Sequence, residues 1–229
     1  MSCPLVALPP ELQEEALEFI RREPFKTLIN LSCTCSFYRS RLAPELFGSI
    51  SLRNSTKSGL SVQALAKSSH CNLVAVLFLD LFPPGQAEDG ESSSETASVA
   101  SSYAATGTAL DTEDVFPGAV RAILSDLRHF PNLQALRIQF LFYFEERAGW
   151  GEPYYNLSDE ESLEQVQIEE QTRPWRALTT RVFEAIGKNK DHSVGSLEIS
   201  QLPLKEISAY SNQAFQDFLG TVEHFGLSL

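Results

Sequence analysis

Five short apolar segments recur along this chain: GSISL from Gly48, CNLVAVLFL from Cys71, LQALRIQF from Leu133, VGSLEIS from Val194 and HFGLSL from His224. Their spacing constrains the fold more than any other feature. Each alternates or runs apolar as a strand does, and helical stretches separate them. With Leu52, Leu77, Leu136, Leu197 and Leu227 as centres, the outer steps are 25 and 30 residues and the inner two 59 and 61. One strand and one helix every 25 to 30 residues is the implied unit, and each long step holds about one extra unit of inserted chain.

That period lies at the upper end of the roughly 20 to 29 residues of a leucine-rich repeat, whose units stack strand beside strand. The helices expected between the strands begin near Ser61, with Leu60, Ala64 and Leu65 inside, and run over Val115–His129, Pro174–Ile186 and Gln213–Thr221. Asp114 is the expected cap of the second, with Pro131 beyond its end; Thr172 or Arg173 caps the third, which stops at Gly187. Leu73 to Phe82, interrupted by Asp80, is far shorter than the roughly 18 apolar residues of a membrane span and reads as a buried parallel strand.

Both insertions are acidic. Residues 85–114 carry seven Asp or Glu and no Lys or Arg, and residues 145–173 carry nine against Arg147 and Arg173. The net charge of -12 therefore resides in the insertions, and the rest of the chain is near neutral. A near-neutral body lacks the clustered basic face that phosphate neutralisation requires, so no nucleic-acid partner is expected, and no membrane partner either. The first insertion is rich in Ser, Ala, Gly and Thr and buries too little to offset its ordering entropy, so residues 84–113 read as disordered. Its Ser92, Ser93 and Ser94, beside acids, are candidate phosphorylation sites. The second, a loop over 144–172, carries Trp150, Tyr154 and Tyr155, which either contact a substrate or pin the loop to the domain.

Chemistry is sparse. His70, His129, His192 and His224 form no H-x-x-x-H or H-E-x-x-H pattern, and there is no G-x-S-x-G or phosphate-cradling glycine loop. No enzyme activity, catalytic residue, metal or cofactor is expected. Cys3, Cys33, Cys35 and Cys71 match no zinc spacing and read as reduced, buried thiols, with Cys33 and Cys35 on one helix. The opening MSCPLVALPP lacks a basic, apolar secretory leader, which points to the cytosol or nucleus and leaves the sequons at Asn30, Asn54 and Asn156 unglycosylated. The apolar HFGLSL strand calls for a partner or a further unit over its edge.

Leu8 to Leu52 is organised differently. LPPEL opens a helix with two prolines, and Leu12, Ala16, Leu17, Phe19 and Ile20 follow on one stripe. A second stripe runs Phe25, Leu28, Leu31, Ser32, Cys35, Tyr38 and Leu42 on a second helix. Leu8, Leu12, Leu31 and Tyr38 exceed what a small hairpin can bury, which leaves apolar surface for a partner.

In Leu8-Pro9-Pro10-Glu11-Leu12, the pair Leu28 and Ile29, Leu31, and Cys35-Ser-Phe-Tyr38-Arg39 followed by Leu42, this stretch resembles an F-box. Ala16, Thr34 and Tyr38 stand where that family favours Ile or Val, Val, and Trp. The resemblance implies attachment to the Skp-type adaptor, and through it a cullin scaffold, of an SCF-type ubiquitin ligase. It implies adaptor contacts by Leu8, Pro9, Leu12, Leu17, Ile20, Leu28, Leu31, Cys35 and Tyr38, with an unknown protein substrate held by the repeats. The expected fold class is α/β: an F-box-like helical module over 1–47, then over 48–229 a short, irregular leucine-rich-repeat-like solenoid with parallel strands and the two insertions. The alternative is a non-enzymatic repeat scaffold whose N-terminal helices only cap the solenoid.

Overall fold

Alternation along the strands decides how this molecule is layered. The computed structural model describes residues 8–22, 24–82, 116–141, 174–202 and 211–228. The strands β1 (Ser49–Arg53), β2 (Val76–Leu81), β3 (Ala135–Phe140), β4 (Ser196–Ser200) and β5 (His224–Ser228) pair side by side in chain order, every pair parallel. Helices α1 (Pro10–Arg21), α2 (Phe25–Ser32) and α3 (Ser36–Phe47) precede the sheet. Helices α4 (Thr56–Ala66), α5 (Gly118–Leu124), α6 (Trp175–Ile186) and α7 (Gln213–Leu219) lie between successive strands, so the chain is a mixed α/β protein.

In register, the inner side chains form rows across the sheet: Ile50, Leu77, Leu136, Leu197, Phe225, and then Leu52, Leu79, Ile138, Ile199, Leu227. Leu52, Leu77, Leu79, Leu136 and Leu197 are fully buried against Val62, Val120, Leu178, Val182 and Phe183 of the helices. Among the described residues, no helix lies over the other face of the sheet. Parallel sheets are ordinarily covered on both faces, and their strands then read as continuous apolar runs. Here β2 and β3 alternate instead, with Asp80, Arg137 and Gln139 on the uncovered side. Leu73 to Phe82 is therefore not a strand buried on both faces: Val76 and Phe78 are half-exposed on the open one.

Register also corrects the spacing between strands. Leu77 lies opposite Ile50, not Leu52, and Leu197 opposite Phe225, not Leu227, so the short steps are 27 and 28 residues. Leu52 and Leu227 each lie one in–out pair beyond Ile50 and Phe225, the residues in register with Leu77 and Leu197. Each middle unit carries the same three-site spacing, Val74-x-x-Leu77-x-Leu79, Leu133-x-x-Leu136-x-Ile138 and Val194-x-x-Leu197-x-Ile199, all buried.

Several element boundaries differ for local reasons. The second stripe is broken into α2 and α3 at Cys33–Cys35, where Cys35 is extended at φ -158° and ψ 162°. Ser32 Oγ and Thr34 Oγ1 donate to the Ile29 and Leu31 carbonyls at 2.7 Å, competing locally with helix propagation. Cys33 and Cys35 therefore do not share a helix, nor is either buried: Cys33 is exposed, and Cys35 and Cys71 are half-buried. Helix α4 begins at Thr56 because Ser55 Oγ accepts the Ser58 N–H, and its inward residues are Gly59 and Val62; Leu60 and Ala64 face solvent. Helix α5 starts after Pro117 instead of Val115, and a 3-10 turn at Leu127–His129 replaces its last turn. A second 3-10 turn at Ser69–Leu73 delays β2 to Val76. The insertions at 84–113 and 144–172 and Cys3 lie outside the described residues.

Two asparagines close the array where backbone groups would otherwise be orphaned. Asn54 donates to the Phe82 carbonyl at 2.8 Å and accepts its N–H at 2.9 Å. Asn189 accepts the Leu127 N–H at 2.7 Å and donates to the Leu124 and Ile186 carbonyls. Both are buried with their amide oxygen and nitrogen hydrogen-bonded, so the Asn54 sequon marks a structural residue. Helices α4 and α5 meet at Gly59, where a Cβ would lie 2.8 Å from both Ala119 Cβ and the Val120 nitrogen. Gly59→Val is expected to lower the urea midpoint by an amount corresponding to about 1–3 kcal/mol, despite valine's better helix propensity. An unchanged midpoint would show that α4 and α5 are free to separate.

Candidate functional site

Two surfaces remain after the core is accounted for. The first belongs to α1–α3, which enclose a core of their own from Leu17, Leu28, Tyr38 and Leu42, with Ile20, Leu31, Cys35, Phe37 and Leu46 packed around it. Leu17, Leu28 and Tyr38, expected at an adaptor contact, are thus at most 6% exposed and hold the three helices together. Ile20, Leu31 and Cys35 are half-buried on the same core, Leu8 is half-buried, and Pro9 and Leu12 are exposed.

The exposed apolar residues of this module are Leu12 (49%), Phe19 (69%), Phe25 (55%) and Ile29 (42%). Leu12 and Phe19 are two turns apart on α1, and Phe25 and Ile29 one turn apart on α2, so each pair shares a helix side. Phe19 and Phe25 flank the short α1–α2 connection. Phe19 lay on the expected apolar stripe, but a stripe does not say which part meets the neighbouring helices; Leu17 and Phe19 are only two residues apart and end on opposite sides of that division. Arg21 braces the opposite side of α1, with Nε 2.7 Å from Glu45 Oε1 on α3 and Nη1 3.1 Å from Glu14. Its guanidinium is held above its ordinary pKa by the carboxylates of Glu14 and Glu45, which outweigh burial.

The second surface is the open sheet face. Its central row is Ser51, Phe78, Arg137, Glu198, Gly226, and the next is Arg53, Asp80, Gln139, Ser200, Ser228. The Arg137 guanidinium lies 5.3 Å over the Phe78 ring and 3.1 Å from Glu198, and Ser51 Oγ donates to Asp80 at 3.0 Å. Arg53 lies over Phe82 at 5.8 Å. The face thus presents arginines on aromatic platforms beside carboxylates, a composition suited to protein contacts.

Among the described residues, no three His, Cys, Asp or Glu side chains converge as metal ligands, and no helix is long and apolar enough to cross a membrane. His70 stacks on Phe47 at 4.6 Å, joining the module to the sheet unit, and His192 packs on Phe218 and bonds Thr221 at 2.8 Å. A polar pocket of about 200 Å³ lies at the C-terminal ends of α5 and α6, lined by Ser125, Asp126, Arg128, Lys188, Lys190 and Asp191 among others. There Arg128 donates to Asp126 at 2.7 Å and holds its carboxyl below the usual range, and cations at helix C-termini offset the dipoles. Trp150, Tyr154, Tyr155, Ser92, Ser93 and Ser94 lie outside the described residues.

No protein-family model matches this chain, and no curated protein or solved structure compared with it matches either. Its surfaces must therefore be interpreted from their own chemistry. Arg137 and Glu198 are each about half exposed, and such pairs contribute little to stability. Arg137→Ala is accordingly expected to change unfolding free energy by less than about 1 kcal/mol, measured by urea denaturation. A loss of several kcal/mol would mean that the row serves the fold and is not free for binding.

Proposed function

We propose that this chain is the substrate-recognition subunit of an SCF-type ubiquitin ligase. The α1–α3 module, which resembles an F-box, docks on a Skp-type adaptor and through it on a cullin scaffold. The leucine-rich-repeat-like array presents its open sheet face to a protein substrate, in the cytosol or nucleus. Ubiquitin transfer then follows from proximity, and this chain supplies no catalytic residue and no cofactor.

One observation carries the reading. Of the seven large apolar side chains exposed on the described surface, four, Leu12, Phe19, Phe25 and Ile29, belong to α1 and α2. A module that only capped the array would turn Pro9, Leu12 and Leu31 toward β1. Instead Pro9 and Leu12 are exposed, and Leu31 packs into the module's own core. The solenoid half of the reading is supported by sequential parallel strands, the repeated apolar spacing and the 27- and 28-residue steps.

The test is adaptor co-purification. Leu12→Asp combined with Phe19→Asp places two charges in the proposed contact while leaving Leu17, Leu28, Tyr38 and Leu42 intact. Removing two such anchors is expected to weaken adaptor binding by at least about tenfold per residue, with an unchanged circular dichroism spectrum. Leu60→Asp, at an exposed leucine on α4, is expected to bind as wild type does. Undiminished capture of the adaptor by the double variant would refute the docking surface.

A further inference from the structure

Strand β5 has a second edge whose groups have no partner among the described residues. Its ladder to β4 is one-sided: the His224 N–H bonds Gly195 O at 2.9 Å, and Ser228 O accepts the Gln201 N–H at 2.8 Å. His224, Gly226 and Ser228 therefore turn their backbone groups toward β4. By the alternation of a strand, Phe225 and Leu227 turn theirs to the free edge. The side chains of the same two residues extend the inner rows, where Leu197 and Ile199 are 0% and 2% exposed, yet Phe225 and Leu227 are 54% and 50% exposed. The opposite edge strand differs, since Leu52 of β1 is fully buried. Edge strands are commonly guarded by charge, proline or a bulge. HFGLS contains no Asp, Glu, Lys, Arg or Pro, and β5 pairs with β4 without a bulge.

We propose that β5 pairs antiparallel with β5 of a second copy of this chain, about a two-fold axis that passes midway between the two Gly226 residues and normal to the sheet. The strand is self-complementary in that register. Phe225 faces Leu227 of the other copy as a hydrogen-bonded pair, and Leu227 faces Phe225, so the free N–H and C=O groups of both residues are satisfied on both copies. The Gly226 residues form the close, non-bonded pair between them. Such an axis keeps the helical layers of the two copies on one side and their open faces on the other. The two inner faces then merge across four apolar side chains, and the two five-stranded sheets become one. The three central residues of the contact, Phe225, Gly226 and Leu227, carry no charge, whereas each chain carries a net charge of -12. Long-range repulsion therefore opposes the pairing, and added salt tightens it.

Sedimentation equilibrium of the full 229-residue chain is expected to show a mass approaching twice 25.4 kDa, with a dissociation constant that falls as salt is raised. Leu227→Pro removes a donor that points only to the free edge, and Leu227→Lys places a charge in the contact; both are expected to give one-chain mass with unchanged circular dichroism. If the proline variant is misfolded, the lysine variant decides. Gly226→Cys places its Cβ in ordinary van der Waals contact, 3.8 Å from Glu198 Cγ, without a clash. The Cα separation of about 4.5 Å expected for a non-bonded pair suits a disulfide, so mild oxidation is expected to join the two introduced thiols, identified by peptide mapping. A one-chain mass for wild type throughout, or a two-chain mass that both Leu227 variants leave intact, overturns the proposal.

Discussion

The structure depends on burial of the in-register apolar rows that cross the sheet. Leu77, Leu136 and Leu197 stand side by side with Leu79, Ile138 and Ile199 next to them, and α4 to α7 lie over that side alone. Each fully buried side chain of this kind contributes about 1.5–3 kcal/mol relative to exposure. Slipping one strand by a single residue would transfer its contribution to the open face and bring Asp80 or Arg137 inside, so the same rows that stabilise the array also set its register. Asn54 and Asn189 follow from this arrangement, since stacking units brings backbone groups of different units inside, where they need partners.

The helical module answers to a different constraint. Three short helices can enclose only a small core, and Leu17, Leu28, Tyr38 and Leu42 occupy it. Leu12, Phe19, Phe25 and Ile29 have no interior left to enter. The module abuts the array through the Phe47–His70 stack, and Gly48 O accepts the Ala75 and Val76 N–H groups, so it is held at the first strand without spending its exposed apolar residues there. The described residues thus carry exposed apolar side chains on α1 and α2 and, separately, a polar-aromatic sheet face.

Much of this was legible in the residues. All five strands overlap the apolar segments read from sequence, with β1 ending one residue beyond its segment at Arg53 and β2 two beyond at Leu81, and Pro174–Ile186 and Gln213–Thr221 match α6 and α7 closely because their inward residues keep a clean helical period. Harder to read was whatever depends on competition or on neighbours. The α2–α3 break is invisible to hydrophobic period, since Phe25 to Leu42 keeps its stripe while Ser32 and Thr34 divert helix carbonyls. Gly59 points inward because absence of a side chain permits close contact with α5, whereas Leu60, the more apolar choice, is left outside. The division of α1 between Leu17 within and Phe19 without is set by how α2 and α3 pack, as is the burial of Tyr38. The repeated L-x-x-L-x-L spacing at Val74, Leu133 and Val194 was present in the sequence and would have given the register directly.

Amide hydrogen exchange of the chain with and without a saturating Skp-type adaptor tests the central claim most directly. The account predicts slowed exchange in α1 and α2, centred on Leu12 to Ile29, with β2, β3 and β4 unchanged. Protection confined to the sheet, or no protection anywhere, would contradict it.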